Sequence, residues 1–188
     1  MKQEWSKVLI TVRAASPGEG ELIRAIHLDA FAGEDEAPAV AQLAVDLLTD
    51  ETAEPRLVLV AEEVAEEEAE PLGCVLFTAV KLEGGPPLSV SILAPLAVKR
   101  SCHGQGVGRA LVEHGLERLK SSGTDLVLVL GDPAYYSRFG FRSGHRIEAP
   151  YPLPYPEAWM ALKLQPGALD SAAGVARCAL SLSAPEHW

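Results

Sequence analysis

The chain has 188 residues, 48% of them hydrophobic, which suits one well-buried core and leaves too little for two. A formal net charge of −10 argues against a nucleic-acid partner, and no apolar run approaches the ~18–20 residues that span a bilayer, which argues against a membrane. Cys74, Cys102 and Cys178 are odd in number and widely spaced, a pattern that fits neither a disulfide framework nor a zinc site, so no metal is expected.

An opening strand is predicted over 8–13; its apolar start is broken by Thr11 and Arg13 and lacks the form of a signal segment. Ser16-Pro17-Gly18-Glu19 has the form of a capping box, with Ser16 as N-cap, Pro17 in the first helical position and Glu19 reaching back. The helix it opens turns Leu22, Ile23, Ile26 and Ala30 inward. After the loop Gly33-Glu34-Asp35-Glu36, a second helix follows Pro38, with Val40, Leu43, Ala44 and Leu47 spaced i, i+3, i+4, i+7. Strands are predicted over 57–61, 71–80 and 88–98. The link 62–70 holds six glutamates (Glu62, Glu63, Glu66, Glu67, Glu68, Glu70), either a solvated hairpin tip or a lure for cationic substrates. Glu83-Gly84-Gly85-Pro86-Pro87 is a turn.

A third helix starts at Gly106 or Gly108. Leu111, Val112, Gly115, Leu116 and Leu119 form its apolar stripe, Glu113, Glu117 and Lys120 its polar one, and Ser121-Ser122-Gly123 stops it. A buried strand over 125–130 leads to a short helix from Pro133, capped by Asp132. The stretch from Pro150 to Pro156 alternates proline with larger residues and favours extended backbone, as a lid or as a connector. A closing strand is predicted over 158–164 and a final one around 175–182. The fold class is α/β (α+β-like), a mixed sheet with helices on both faces, in one domain over 1–188 whose segment 170–188 is an extension or a last strand. A cytoplasmic location is expected.

Chemistry concentrates between Leu96 and Leu111. An apolar strand ends in Lys99 and Arg100, passes through Gly104, Gly106 and Gly108, and enters a helix carrying Arg109. Glycines let backbone approach a phosphate, and the first helical turn aims free N–H groups at the same place. A Walker loop needs Gly-Lys-Ser/Thr, but Arg109-Ala110 follow Gly108; a dinucleotide fingerprint needs glycine where Arg109 stands.

What remains, His103-Gly104-Gln105-Gly106-Val107-Gly108, resembles the acetyl-CoA loop of the GNAT superfamily of N-acetyltransferases, Arg/Gln-x-x-Gly-x-Gly/Ala, with His103 departing at the first position. A second block, Gly131-Asp132-Pro133-Ala134-Tyr135-Tyr136-Ser137-Arg138-Phe139-Gly140-Phe141, is similar to the family's Phe/Tyr-Tyr-x-x-x-Gly-Phe signature, in a YhbS-like wording. The tail from Glu157 to Leu169 is similar to the same branch, so the resemblance covers roughly residues 8–169.

The resemblance implies a GNAT fold with a splayed parallel strand pair and acetyl-CoA as cosubstrate, its acetyl group passing to a primary amine by direct attack in a ternary complex. It assigns the pantetheine arm to backbone of Leu96, Ala97 and Val98, and the pyrophosphate to His103, Gly104, Gln105, Gly106, Val107, Gly108 and Arg109. Tyr135 fills an aromatic position. Tyr136 is the general acid for the leaving thiolate, or only packs against the cofactor. No base is assigned: Ser89 and Ser91 stand where some members carry glutamate, leaving Glu62, Glu63 or a histidine acting through water. His27 and His114 are expected at the surface or rim, His145 and His187 in loops or the tail. The acceptor is a small-molecule or peptide amine, and a homodimer is compatible with the family. The alternative is a CoA-binding sensor that does not catalyse; no G-x-S-x-G nucleophile motif is present.

Overall fold

Continuous apolar runs in the middle of the chain become the central strands of a mixed sheet, seen in a computed structural model that describes residues 9–64 and 68–188. Val8, Glu66 and Glu67 lie outside the described residues. In chain order come β1 (Ile10–Ala14), α1 (Gly20–Ala30), α2 (Ala37–Thr49), β2 (Leu57–Glu63), β3 (Glu70–Glu83) and β4 (Val90–Val98). Then follow α3 (Val107–Ser121), β5 (Leu126–Leu130), α4 (Pro133–Tyr136), β6 (Arg146–Glu148), β7 (Trp159–Lys163), α5 (Ala168–Ser171) and β8 (Ala173–Arg177). The sheet runs β1-β2-β3-β4-β5-β7, and β8 joins the far end of β3 to β6. Pairing is antiparallel except β4 with β5 and β6 with β8.

Successive residues of β3 face opposite sides of the sheet. Cys74, Leu76 and Val80 meet Ile23, Ile26, Leu43 and Leu47 of α1 and α2. Val75 and Phe77 meet Leu111, Val112 and Leu119 of α3. With helices on both faces, the strand has no side to leave polar, which is why its sequence does not alternate. Gly115 brings α3 close: a Cβ there would stand 2.3 Å from the Phe77 ring.

Three expectations need correction. The capping box is half made: Glu19 accepts from the Ser16 N–H at 2.6 Å, but a turn intervenes and α1 starts only at Gly20. Glu19 is also drawn to Arg13 of β1, whose guanidinium holds its carboxyl below the ordinary range. His27 is no rim residue; it is 0% exposed beneath α1, where Nδ1 donates to the Ile23 carbonyl at 2.7 Å. The last strand ends at Arg177, and Leu180–Leu182 forms a 3₁₀ turn instead. Asp50 explains this, because its Oδ2 takes the Ser181 N–H and hydroxyl at 2.8 and 2.7 Å, satisfying backbone that a strand would have paired. Finally, the three-residue β6 and four-residue α5 were not anticipated; both are too short to carry a periodic signal.

One irregularity positions everything that follows. β4 and β5 pair only from Val90 to Ile92 and from Leu126 to Leu128. Beyond that, β4 stays with β3 and β5 stays with β7, so the two strands diverge. The β3–β4 register slips between Val75 and Phe77, opposite Ala94 and Pro95. Proline has no N–H for the ladder, and an extra residue there bends the strand.

Candidate active site at the splayed strands

The loop after β4 makes a short 3₁₀ turn, Arg100–Cys102, then reaches α3 through Gly104 and Gly106 at φ +74° and +86°. Such left-handed backbone suits glycine alone among residues without a short polar side chain. No side chain caps the first turn of α3, so its leading N–H groups point outward unclaimed. They face a cleft of about 400 Å³ walled by Val98, Cys102, His103, Gly104, Gly106, Val107, Gly108, Arg109, Tyr135 and Arg138. Gln105 turns out of it, its amide donating to the Ser101 carbonyl at 3.0 Å. Gly108 is hemmed in, since a Cβ there would lie 2.6 Å from the Tyr135 hydroxyl.

The charges differ from those the sequence suggested. Lys99 pairs with Glu70 at 3.5 Å, and Arg100 is drawn to α1, its side chain donating to the Ala32 carbonyl and its N–H to Asp29. Neither lines the cleft. Arg109 does, while also pairing with Glu113 one turn on at 2.8 Å. The second cation is Arg138, whose guanidinium stacks 4.6 Å from the Tyr135 ring centroid. Its spacing of three from Tyr135 on a helical turn was the available signal. His103 uses Nε2 to donate to the Val98 carbonyl at 2.9 Å, and so does not engage neighbouring Cys102.

Backbone direction separates the strand residues. Lys99 N–H donates to the Leu72 carbonyl, so in the alternating antiparallel ladder Ala97 also faces β3, while Leu96 and Val98 face the gap toward β5. The Val98 carbonyl in that gap is the one His103 holds. Ala97 is 1% exposed and packs in the core, which removes it from the predicted binding edge.

Tyr136 stands at the end of α4, beyond the tip of β5. Asp132 caps this helix, accepting the Ala134 N–H at 2.8 Å. Gly131 makes room, because a Cβ would meet the Tyr136 ring at 2.4 Å. Phe141 and Tyr135 pack edge-on against the ring, at 5.8 and 5.0 Å between centroids. Burial, and secondarily Tyr135, raise the Tyr136 phenol above its ordinary value, so it holds its proton at neutral pH.

Tyr136 lines a second cleft, of about 610 Å³, to which Tyr135 does not contribute. Its walls are Phe31 and the start of α2, Leu93 to Leu96 of β4, Leu130, and a segment that sequence reasoning missed altogether: Leu182, Glu186 and His187. Nothing local in residues 182–187 marks them, since only the packing of β8 brings them here. Glu62 is held by Arg13 at 2.6 Å on β2, and neither it nor Glu63 lines either cleft. The Pro/Tyr segment lines a different hollow, beside Ile147 and Trp159. Tyr151 donates to the Ser183 carbonyl, Tyr155 is 68% exposed, and the stretch connects β6 to β7. Among the described residues no cluster of His, Cys, Asp or Glu could hold a metal ion, and no helix is long and apolar enough to cross a membrane.

This arrangement has close counterparts. Residues 55–143 match the acetyltransferase (GNAT) domain family. The chain is 40% identical over 166 residues to the uncharacterized N-acetyltransferase YjhQ of Escherichia coli K12, covering 84% of this chain and 85% of that protein. The crystal structure of the GNAT family N-acetyltransferase YhbS from Escherichia coli in complex with CoA superposes with a TM-score of 0.82 at 31% identity, over 95% of this chain and 94% of that one. A GNAT family acetyltransferase from Brucella melitensis, in complex with acetyl-CoA, shares the fold at a TM-score of 0.73 and 24% identity, over 93% and 98% of the two chains.

Proposed function

The chain belongs to the GNAT family of N-acetyltransferases and is an acyltransferase, and from that premise we propose that it binds acetyl-CoA in the cleft at the start of α3 and acetylates a primary amine seated in the second cleft. One observation carries the reading: the two clefts take their walls from neighbouring residues of the same two elements, Val98 of β4 and Tyr135 of α4 lining one, Leu96 of β4 and Tyr136 of α4 the other. The cradle suits a diphosphate. Cβ atoms at Gly104 and Gly106 would find nothing within 4 Å, so the backbone there is open to a ligand, and Arg109 and Arg138 supply positive charge. CoA bound to YhbS, a relative with the same fold, supports the assignment.

The acetyl thioester supplies an electrophilic carbonyl when bound. Backbone of Leu96 and Val98 orients the amide arm in the gap, where β5 offers no pairing. Loop residues 103–109 hold the far end, through main-chain N–H groups rather than through the side chain of Gln105. Tyr136 meets the departing sulfur with its proton in place, hydrogen-bonding to the charge as it develops. Direct attack fits the cysteines: Cys74 and Cys178, their thiols pushed by burial up to about 12, are too weakly ionised for nucleophiles, and Cys102 in the cleft wall gets no base from His103, whose ring is held by the Val98 carbonyl.

The test is Tyr136→Phe. Turnover should fall by about 10²-fold, within the usual span of general acid catalysis, while calorimetry shows acetyl-CoA affinity unchanged. Wild-type turnover in the variant would remove Tyr136 from the reaction.

A further inference from the structure

One wall of the second cleft comes from the segment after β8, and it is fastened more firmly than a loose tail would be. Asp50 holds Ser181 twice, the Tyr151 hydroxyl donates to the Ser183 carbonyl at 2.5 Å, and the Trp188 indole N–H donates to the Leu182 carbonyl at 2.9 Å. The Trp188 ring also packs edge-on against Trp159, 5.6 Å between centroids. Between these anchors the turn Pro185–His187 presents Glu186 and His187 to the cleft that Tyr136 reaches.

The composition of the cleft is selective. Phe31, Val40, Leu43, Leu93, Leu130 and Leu182 make its walls apolar. Its ionisable groups are Asp35 and Glu36 from the α1–α2 side, Glu186 and His187 from the turn, and Tyr136; no Lys or Arg lines it among the described residues. Carboxylates without a cation favour an ammonium group and repel an acceptor that carries its own carboxylate. We infer that this cleft takes a primary amine on an uncharged apolar body, and that His187 accepts the ammonium proton before attack.

The inference rests on the acetyl transfer proposed above and supplies its missing base. A carboxylate is suited to hold an ammonium ion, whereas imidazole is the side chain suited to general-base work. The other histidines are committed or remote. His27 is sealed under α1, His103 is bound to Val98 in the other cleft, His145 donates to the Trp159 carbonyl, and His114 rides on α3 across the sheet.

An ammonium proton passes to a ring nitrogen of His187, freeing the nitrogen lone pair. That pair forms the N–C bond to the acetyl carbonyl carbon, and the C–S bond breaks with its electrons on sulfur. Sulfur takes the phenolic proton of Tyr136, and the second proton of the nitrogen returns to the tyrosinate. The products are the N-acetyl amine, the free thiol and a His187 imidazolium that discharges to solvent.

The probe is 2-phenylethylamine, with β-alanine as the carboxylate-bearing control, thiol release as the readout and acetyl-CoA binding followed by calorimetry. The wild-type protein should acetylate 2-phenylethylamine with kcat/KM at least about tenfold above β-alanine. His187→Gln should lose about 10²-fold in kcat/KM near pH 7 with acetyl-CoA affinity unchanged. The deficit should shrink below about tenfold as the pH approaches the amine's own pKa of ~10, where solution supplies the free base. His187→Asn should behave alike. Acetyl-CoA binding without transfer to 2-phenylethylamine, an equal preference for β-alanine, no loss in the variants, or a loss of the same size at every pH would each overturn the inference. A wild-type protein that fails to bind acetyl-CoA would instead overturn the proposed function beneath it.

Discussion

At Gly108 a single methyl group decides whether Tyr135 can stay where it is. The Cβ of an alanine would stand 2.6 Å from the phenolic oxygen, whereas the next atoms, Val98 Cγ2 and Tyr135 Cζ, are 3.6 and 3.8 Å away and in ordinary contact. The conflict is therefore with one oxygen atom. Gly108→Ala should push the ring out of the cleft wall and weaken acetyl-CoA binding by about tenfold, roughly 1.4 kcal/mol. Adding Tyr135→Phe should recover most of it, because the clashing atom is gone. Calorimetry on the two variants checks this, and a double variant as weak as the single one would place the cost elsewhere. The same scale shows what local sequence conveys. The need for glycine at 104 and 106 was legible as a pattern because backbone conformation is a property of the residue itself. Which arginine would enter the cleft was not, since Arg100 and Arg138 differ only in what surrounds them.

Among elements, the segment after β8 has the most to lose from one substitution. Asp50 stands just past α2 and accepts the N–H and hydroxyl of Thr52 on one oxygen and those of Ser181 on the other. Burial opposes its charge, but the bonds from Thr52 and Ser181 outweigh it and draw the carboxyl down to about 2. Asp50→Ala should release the Leu180–Leu182 turn and speed amide exchange across 180–188 by more than about tenfold, leaving α3 and the central strands protected. Uniform protection would show that Trp188 and Tyr151 suffice to hold the segment. The staple is present above the ordinary carboxylate range and is lost as pH falls from about 4 toward 2. Sequence periodicity located α2 and β8 within a few residues, yet it extended the last strand to 182, because a carboxylate borrowed from another element leaves no periodic trace.

For the whole molecule, acid stability turns on His27. Burial lowers its pKa, more than the bond to the Ile23 carbonyl raises it, and its Nε2 has no partner among the described residues. The unfolded chain therefore binds a proton at a pH where the folded one does not, and stability must fall as pH drops below ~6.5. The urea midpoint should decrease between pH 7 and pH 5, and His27→Gln should flatten that slope; an unchanged slope would transfer the effect to His145, lowered by burial in the same direction. The alternation of strand and helix, the glycine entry to α3, the Asp132 cap and the Tyr-Tyr block were set by the sequence alone, because each depends on neighbours within a turn or two. Tertiary structure decided that His27 is interior, that Lys99 and Arg100 turn away from the cleft, and that His187 lines the same cleft as Tyr136. Those outcomes depend on which distant surfaces pack together, and packing couples residues that are remote along the chain.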